Sequence, residues 1–193
     1  MDDLTEYRIA VKNFAKDGID YLFHNKGNEH ALIIFTNLFV NAKSEIRIAA
    51  NMLYNDEVVN TKEYINAMHT FLDKHDSRLS ILITNMPPTD AVRNHDKDTS
   101  FYWMLYNHPA YAQNRVVIKE GGGNYFRGED NQQVNFCTCD SMMYRFESDI
   151  KQRKAVANFH DPKLTKNLEE KFDKIYGNLR VVKLEDLFGV WKV

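Results

Sequence analysis

Two charged side chains, Arg145 and Glu147, alternate with two aromatic ones in the stretch "YRFESD". Because successive side chains of a strand point to opposite faces, the arginine and the glutamate share one face, and Tyr144 and Phe146 share the other. If the charged face is solvated, the two residues form an exposed pair that contributes little to stability. If it lines a site, the guanidinium could bind a phosphate or a carboxylate through two parallel hydrogen bonds. The sequence leaves both interpretations open.

A second candidate is His160, which follows a predicted strand and stands beside Asp161 at the start of a predicted helix. In open α/β sheets, ligands collect at the ends of strands. This histidine could act with Asp161, Arg145 and Glu147 in an unusual phosphodiesterase or nuclease. Asp161 could instead cap the helix that follows, with Pro162 in its first turn.

The chain has seven histidines, but their spacing predicts no metal site. His24 and His30 are six residues apart, as are His69 and His75, whereas side chains that share a helix face are three or four apart. His95 lies in a polar loop with two aspartates, which could bind a cation weakly or simply be solvated. We expect no bound metal.

Neither the glycines nor the cysteines indicate a cofactor. The triple glycine at 121–123 is not followed by the Gly-Lys-Ser/Thr and helix of a phosphate-binding loop, so we predict a mobile loop there. Cys137 and Cys139 are two residues apart on a predicted strand, where a disulfide would be strained. Two thiolates also fall short of the four ligands of a structural zinc site. We expect two reduced, packed cysteines and no cofactor.

The length and composition are those of one globular domain. With 193 residues, of which 44% are apolar, the chain can bury a sizeable core. Its net charge of −2 gives no general attraction to nucleic acid, although a local basic patch remains possible. No stretch approaches ~18 uncharged apolar residues, and the N-terminus lacks a signal-peptide pattern. We expect a soluble, cytoplasmic protein without a membrane partner.

Apolar periodicity predicts alternating helices and strands in the first half of the chain. Residues 4–24 fit an amphipathic packing helix, and "EHALIIFTNLFVNAKS" fits a helix that is buried on most sides. The stretches "EIRIAANML" and "RLSILITN" fit strands, and "NTKEYINAMHTFLDKH" between them fits a helix with Asn60 as its N-cap. The order helix, strand, helix, strand favours a parallel sheet with helical crossovers.

The second half predicts a loop over residues 86–100, then an aromatic helix over residues 101–113 that is bent by Pro109. "RVVIKE" and "KAVANF" fit strands, and "QVNFCTCD" with "MMYRFE" fits a hairpin that turns at Asp140 and Ser141. A helix capped by Asp161 follows, and "LRVVKLEDLF" supplies a last strand. The order of the C-terminal tail, from Gly189 onwards, is left open.

From "EHALIIFTNLFVNAKSEIRIAA" through "AVANF" and "FDKIYGN", the element order resembles the phospholipase D superfamily. The resemblance covers most of residues 28–188, with residues 1–26 as an additional N-terminal packing helix. It implies an α/β fold, a single domain with a mixed sheet flanked by helices. It also implies a homodimer, because in that family two copies of the His-x-Lys-x-x-x-x-Asp motif meet across a two-fold axis to form one site.

Counted back from Asp140, Gln133 takes the position of the family's histidine and Asn135 that of its lysine. An amide has no basic lone pair to attack phosphorus, and a neutral side chain cannot supply the charge of lysine. Asn158 would be the family's downstream asparagine. The interval from Asp140 to Asn158 is longer than in the family, which predicts an extra strand, "MMYRFE", between them. These replacements favour a protein without catalysis over an enzyme.

Three hypotheses follow from the sequence. The first is a non-catalytic dimer that binds a phosphate-bearing ligand, nucleic acid or a partner protein, based on the element order and the lost histidine and lysine. The resemblance to short single-copy members of the superfamily also suggests a bacterial or phage-defence setting. Its ligand-binding candidates are the residues singled out above: Gln133, Asn135, Asp140, Arg145, Glu147, Asn158 and His160. The second is an active phosphodiesterase that uses His160, Asp161, Arg145 and Glu147. The third is a pure interaction subunit whose aromatic helix "FYWMLY" contacts a partner.

Overall fold

The structure is a computed structural model and describes residues 3–189. These residues form eight helices, one short 3-10 turn at Lys97–Thr99, and eight strands. The helices are α1 Asp3–Asp17, α2 Asn28–Asn41, α3 Lys62–Leu72, α4 Thr89–Asn94, α5 Phe101–Asn107, α6 Pro109–Ala112, α7 Pro162–Tyr176 and α8 Leu184–Phe188. The strands are β1 Phe23–Lys26, β2 Glu45–Ala50, β3 Arg78–Ile83, β4 Val116–Glu120, β5 Asn135–Cys139, β6 Met143–Asp149, β7 Lys154–Asn158 and β8 Arg180–Val182.

All eight strands form one mixed sheet in the order β1-β7-β6-β5-β2-β3-β4-β8. The predicted parallel arrangement is confirmed for β2, β3 and β4, which are linked by helical crossovers. The other neighbours pair antiparallel, beginning with β5 against β2. The chain is therefore a single α/β domain with a mixed sheet flanked by helices, as the sequence predicted.

The sheet has an apolar core on each face. The larger core lies under α1, α2, α3 and α5, and it includes Ile33 and Phe39 of α2 and Phe71 of α3. The smaller core lies under α7 and includes Phe136 of β5 and Phe172. Side chains of β5 and β6 alternate between the two cores, because strand periodicity sends neighbours to opposite faces. Cys137 and Cys139, both free, are buried on the larger side, as predicted.

The predicted hairpin of β5 and β6 is present and turns at Asp140 and Ser141. Both residues have positive φ, 54° and 56°, the backbone conformation that suits a tight two-residue hairpin. The Asp140 carboxylate accepts hydrogen bonds from the backbone N–H groups of Lys43 at 2.5 Å, Ser44 at 2.9 Å and Glu45 at 2.9 Å. The carboxylate thereby connects the turn to the start of β2, which fixes the register between β5 and β2.

The predicted helix over residues 4–24 is wrong at its end. Helix α1 ends at Asp17, where Gly18 adopts φ 61°, and the chain then forms the edge strand β1. Phe23 and Asn25 are buried and alternate with exposed neighbours, a period of two that residues 4–17 do not show. The N-terminal region is thus a helix plus a sheet strand.

Four smaller differences concern caps and loops. Thr61, and not Asn60, is the N-cap of α3, because its hydroxyl accepts from the N–H of Tyr64 at 3.3 Å. The segment predicted as a loop over residues 86–100 contains α4 and the 3-10 turn. The aromatic helix divides at His108 into α5 and α6, since Pro109 begins a new helix. "LRVVKLEDLF" holds a short strand, β8, followed by α8, and residues 190–193 of the tail lie outside the described residues.

Candidate functional site

The candidate site lies at the edge of the sheet where the parallel strands end. Asn51 follows β2, Thr84 and Asn85 follow β3, and Gln133 precedes β5, so polar side chains collect at this edge. The carboxyl ends of parallel strands are the usual place for ligands in open α/β sheets. Asn51, Thr84 and Asn85 were not singled out from the sequence. Asn51 comes directly after the apolar strand β2, and Thr84 and Asn85 are the first two residues after the apolar strand β3.

The amides at this edge are joined by hydrogen bonds. Asn85 donates its Nδ2–H to Asn51 Oδ1 at 2.7 Å, and the backbone N–H of Asn51 donates to Asn135 Oδ1 at 2.8 Å. Gln133 donates its Nε2–H to Thr84 Oγ1 at 3.3 Å. The two residues at the motif positions, Gln133 and Asn135, are therefore held by neighbours from β2 and β3. Their chemistry is that of neutral donors and acceptors.

Asn135 leads directly to the charged pair of β6. It faces Glu147 across the β5–β6 ladder and donates Nδ2–H to Glu147 Oε2 at 2.7 Å. Arg145 donates from Nη2 to Glu147 Oε1 at 3.3 Å. Arg145 is only 3% exposed and Glu147 8%, so of the two interpretations the solvated, exposed pair is wrong. The sequence predicted that the two side chains share one face of the strand, but it did not predict that α2 covers that face.

The Arg145 guanidinium is stacked on an aromatic ring. Its centre lies 4.8 Å from the centroid of Phe35, a residue of α2, in a cation–π contact. Its Nε has no hydrogen-bond partner within the described residues, and neither do the buried hydroxyls of Tyr7 and Tyr64. Burial raises the pKa of both tyrosines, and the nearby Arg145 charge opposes that rise. The two phenols therefore stay neutral near pH 7 and do not supply a base.

The space beside this network is small. A cavity of about 70 Å³ is lined by Arg145, Glu147 and Asn135, by residues of α2 and by the segment after β2. It has room for about two water molecules at roughly 30 Å³ each, whereas ligand pockets for small molecules occupy about 300–1,000 Å³. A larger open groove of about 530 Å³ lies outside it, lined by Asn51, Gln132, Gln133, Ser148 and Lys151, together with Asp130, Asp149 and Ile150. Of these two spaces, the outer groove is the one with room for a sizeable ligand.

Asp140 and Asn158 do not lie with Gln133 and Asn135. Asp140 is at the opposite end of β5, where it caps the entry of β2. Asn158 donates its Nδ2–H to Asp20 Oδ1 at 2.7 Å and accepts from the N–H of His160 at 2.8 Å. Both polar side chains are thus occupied in joining chain segments.

His160 and Asp161 are also apart from the charged pair. Asn158 faces Tyr144 in the β6–β7 ladder, whereas Glu147 faces Ala155, so about three residues, or about 10 Å of strand, separate these positions. His160 is exposed beyond the end of β7, and Asp161 accepts from the N–H of Leu164 at 3.0 Å as the N-cap of α7. The structure does not bring the four residues of the alternative catalytic set together.

One group of possible metal ligands consists of His69, Asp73 and His108, within residues 3–189. His108 Nδ1 accepts from the N–H of Ala110 at 3.1 Å, so the ring proton lies on Nε2, which faces Asp73 Oδ1 at 3.3 Å. A metal on Nε2 would then require an imidazole without any proton, whereas a ligating histidine normally donates its second N–H. Burial and the neighbouring His69 lower the pKa of His108. His108 is therefore the N-cap of α6, and its Nε2–H faces the Asp73 carboxylate.

Among residues 3–189, no helix has the length and apolar composition needed to cross a bilayer.

Comparison by sequence found no family model and no curated protein that matches this chain. Comparison by structure does find matches. Nuc from Salmonella typhimurium, a phospholipase D family member, aligns with a TM-score of 0.57 and 13% identity, over 86% of this chain and 99% of Nuc.

TrmBL2, an archaeal chromatin protein whose structure shows a mode of DNA binding, aligns with a TM-score of 0.59 and 12% identity over 92% of this chain. Phosphatidylserine synthase from Haemophilus influenzae Rd KW20 aligns with a TM-score of 0.52 and 12% identity over 86% of this chain. The chain spans 62% of TrmBL2 and 40% of the synthase. This chain therefore has a phospholipase D-like fold.

Proposed function

We propose that this chain is a catalytically silent phospholipase D-like domain that acts as a dimeric binding module for a phosphate-bearing ligand. The hydrogen bond between Asn135 and Glu147 is the observation that carries the proposal. We also propose that the protein acts in the bacterial cytoplasm, in a defence setting, because it resembles short single-copy members of the superfamily.

The position of Asn135 matters because the family's lysine there would contact phosphoryl oxygens. Here the Nδ2–H group donates to a carboxylate of the same chain, and Arg145 supports that carboxylate from the other side. The Glu147 carboxylate already balances the Arg145 charge, and a neutral amide adds no positive charge for a phosphate. A phosphoryl group is therefore not stabilised at the motif position.

The nucleophile is lacking as well. Gln133, at the histidine position, donates its amide to Thr84, and an amide forms no covalent phosphoryl intermediate. A ligand would instead occupy the open groove next to Gln133, where Asn51 and Ser148 supply hydrogen bonds and Lys151 a positive charge beside the carboxylates of Asp130 and Asp149. In a two-fold dimer, two such grooves would face each other.

The two other hypotheses have less support. The alternative phosphodiesterase needs His160 and Asp161 beside Arg145 and Glu147, which lie at a different part of the sheet. The pure interaction subunit relied on the aromatic helix α5, but its Phe101, Tyr102 and Leu105 are buried in the core. We therefore favour the silent binding module.

Hydrolysis assays test the silent site. We expect purified protein to cleave neither a generic phosphodiester nor DNA above the buffer rate. The Gln133→Ala and His160→Ala variants serve as a matched pair, one at the motif position and one at the alternative site. Hydrolysis that disappears in either variant would overturn the proposal, and the variant that loses it identifies the responsible site.

Light scattering tests the dimer. The chain mass is 22.6 kDa, and we expect a particle of about twice that mass. A strict monomer at high protein concentration would contradict a site shared across a two-fold axis.

A further inference from the structure

Two lysines lie directly opposite each other at the edge of the sheet. Lys26 is the last residue of β1 and pairs with Lys154, the first residue of β7. Their Cβ atoms in such a pair are about 5 Å apart, and like charges placed directly opposite destabilise a sheet. Both side chains are exposed, and neither ammonium group has an ion-pair partner within residues 3–189. Asp149 faces Lys154 in the β6–β7 ladder, but no ion pair joins them among these residues.

The cations continue beyond this pair. Lys151 and Arg153 lie in the turn between β6 and β7, next to Lys154. His24 precedes Lys26 by two residues and is exposed on the same face of β1. Phe23 and Asn25 point to the other face, towards the larger core, so His24 and Lys26 point away from α1 and α2.

Three carboxylates, those of Asp149, Glu57 and Asp130, lie near these cations. Asp149 accepts from the N–H of Gln152 at 2.9 Å, which holds it in the turn. Glu57 lies 3.7 Å from the Arg153 guanidinium and also accepts from Asn28. Asp149 also faces Lys154 across the β6–β7 ladder, and Asp130 lines the groove beside Gln133, but no ion pair joins any of these acids to Lys26 or Lys154 within residues 3–189. The four cations Lys26, Lys151, Arg153 and Lys154 outnumber the three acids. A local positive surface remains on a chain whose net charge is −2.

This surface is continuous with the candidate groove. A second groove of about 560 Å³ is lined by His24, Lys26 and Lys154, and Ser148 lines both this groove and the one beside Gln133. Lys151 lines the candidate groove itself. The two grooves therefore form a track from the start of β5, across the β6–β7 turn, to the sheet edge at β1.

We propose that this track binds a single-stranded nucleic acid, with phosphates on Lys26, Lys154 and Lys151 and bases in the groove beside Gln133. The inference rests on the proposed binding function and specifies its ligand. Ammonium groups neutralise backbone phosphates whatever the sequence. Neutral amides such as Gln133 and Asn51 match the donors and acceptors of unpaired base edges, which a duplex keeps inside its base pairs.

Fluorescence anisotropy with a labelled oligonucleotide of about 12 nucleotides tests the track, since comparable single-strand sites cover about 4–16 nucleotides. The protein is titrated at several salt concentrations with single-stranded DNA, with the matched duplex and with anionic lipid vesicles as competitors. The test variant is Lys26→Ala with Lys154→Ala. The control is Lys163→Ala with Lys166→Ala, which removes two exposed lysines from α7 and changes the net charge equally.

We expect the wild type to prefer the single strand and its affinity to fall with salt. Each lost phosphate contact reduces the magnitude of the slope of log K against log salt by about 0.7. The slope of the test variant should therefore be shallower than that of the wild type by about 1.4. The control should keep the wild-type slope. Thermal unfolding of both variants checks that these exposed substitutions leave the fold intact.

Three results would overturn the inference. The first is equal binding by the test variant and the control, which places the nucleic acid elsewhere and leaves the proposed binding function intact. The second is a preference for the duplex or for vesicles over the single strand. The third is no nucleic-acid binding by the wild type at low salt. The hydrolysis and light-scattering results are independent of all three, so a failure of the track is distinguishable from a failure of the silent module.

Discussion

Asn135 donates a 2.7 Å hydrogen bond to Glu147 across the β5–β6 ladder, and this contact joins the edge of the sheet to its buried interior. On one side, Asn135 accepts from the backbone of Asn51 at the end of β2. On the other, Glu147 accepts from Arg145 under α2. Sheet register alone makes these contacts possible, because a shift of one residue would turn Asn135 to the opposite face.

Removing one member of the Arg145–Glu147 pair should lower the free energy of unfolding more than removing both members. Glu147→Gln keeps an acceptor for Asn135 but leaves the Arg145 charge buried without its carboxylate. We expect a loss of about 3–5 kcal/mol in the free energy of unfolding. Combining Glu147→Gln with Arg145→Met removes both charges and should restore most of that loss. Urea denaturation of the four proteins in this double-mutant cycle measures the coupling, and equal losses for single and double variants would contradict it.

Asp140 should contribute mainly to stability. Its carboxylate accepts from the N–H groups of Lys43, Ser44 and Glu45, so Asp140→Ala leaves three backbone donors without their acceptor. We expect a loss of about 2–3 kcal/mol, since hydrogen bonds to a charged group are the stronger ones. Asp161→Ala is the matched control, because it removes a single N-cap bond worth about 1 kcal/mol. Equal effects in denaturant titrations would show that the Asp140 cap is weaker than its geometry indicates.

Stability should fall with acid through His108. Burial and His69 lower the pKa of His108 below its ordinary value of 6.5, while the groups that face it also include Asp73 and Arg115. The unfolded chain then binds a proton more readily than the folded one, so stability is full above about pH 6.5 and declines as pH falls below it.

Protonation of Nδ1 would also remove the acceptor that caps α6. His108→Asn keeps a short acceptor without a titrating ring and should reduce the slope of stability against pH in this window. The measurement is the unfolding free energy of the wild type and of the variant between about pH 5 and pH 7.5. An unchanged slope in the variant would assign the pH dependence to other groups.

The two cysteines should be unreactive in the folded protein. Cys137 and Cys139 are buried with their sulfur atoms 4.0 Å apart, and burial raises the pKa of Cys139 well above its ordinary value. Because the thiolate is the reactive form, alkylation should proceed only through unfolding. Mass spectrometry should show no labelled cysteine in native buffer and two in urea. Rapid native labelling would mean that β5 opens locally.

The local elements could be predicted from the sequence because their signals lie within a few residues. Asp161 and Pro162 start α7 as expected, since the cap and the first turn are adjacent in the chain. The turn at Asp140 and Ser141 follows from alternation on both sides of it. Strand β1 was missed because four residues carry a weak signal, and its formation depends on pairing with β7, more than 100 residues away.

The sequence by itself determined most of the order of helices and strands, the hairpin that follows Gln133, and the resemblance to a phospholipase D-like fold. Only the tertiary structure decided which polar groups meet. Arg145 and Glu147 are buried because α2 covers their face of the sheet, and Asn158 bonds to Asp20 because β1 and β7 are neighbours. Strand pairing and helix cover join residues that are distant in the chain, and no local pattern encodes those distances.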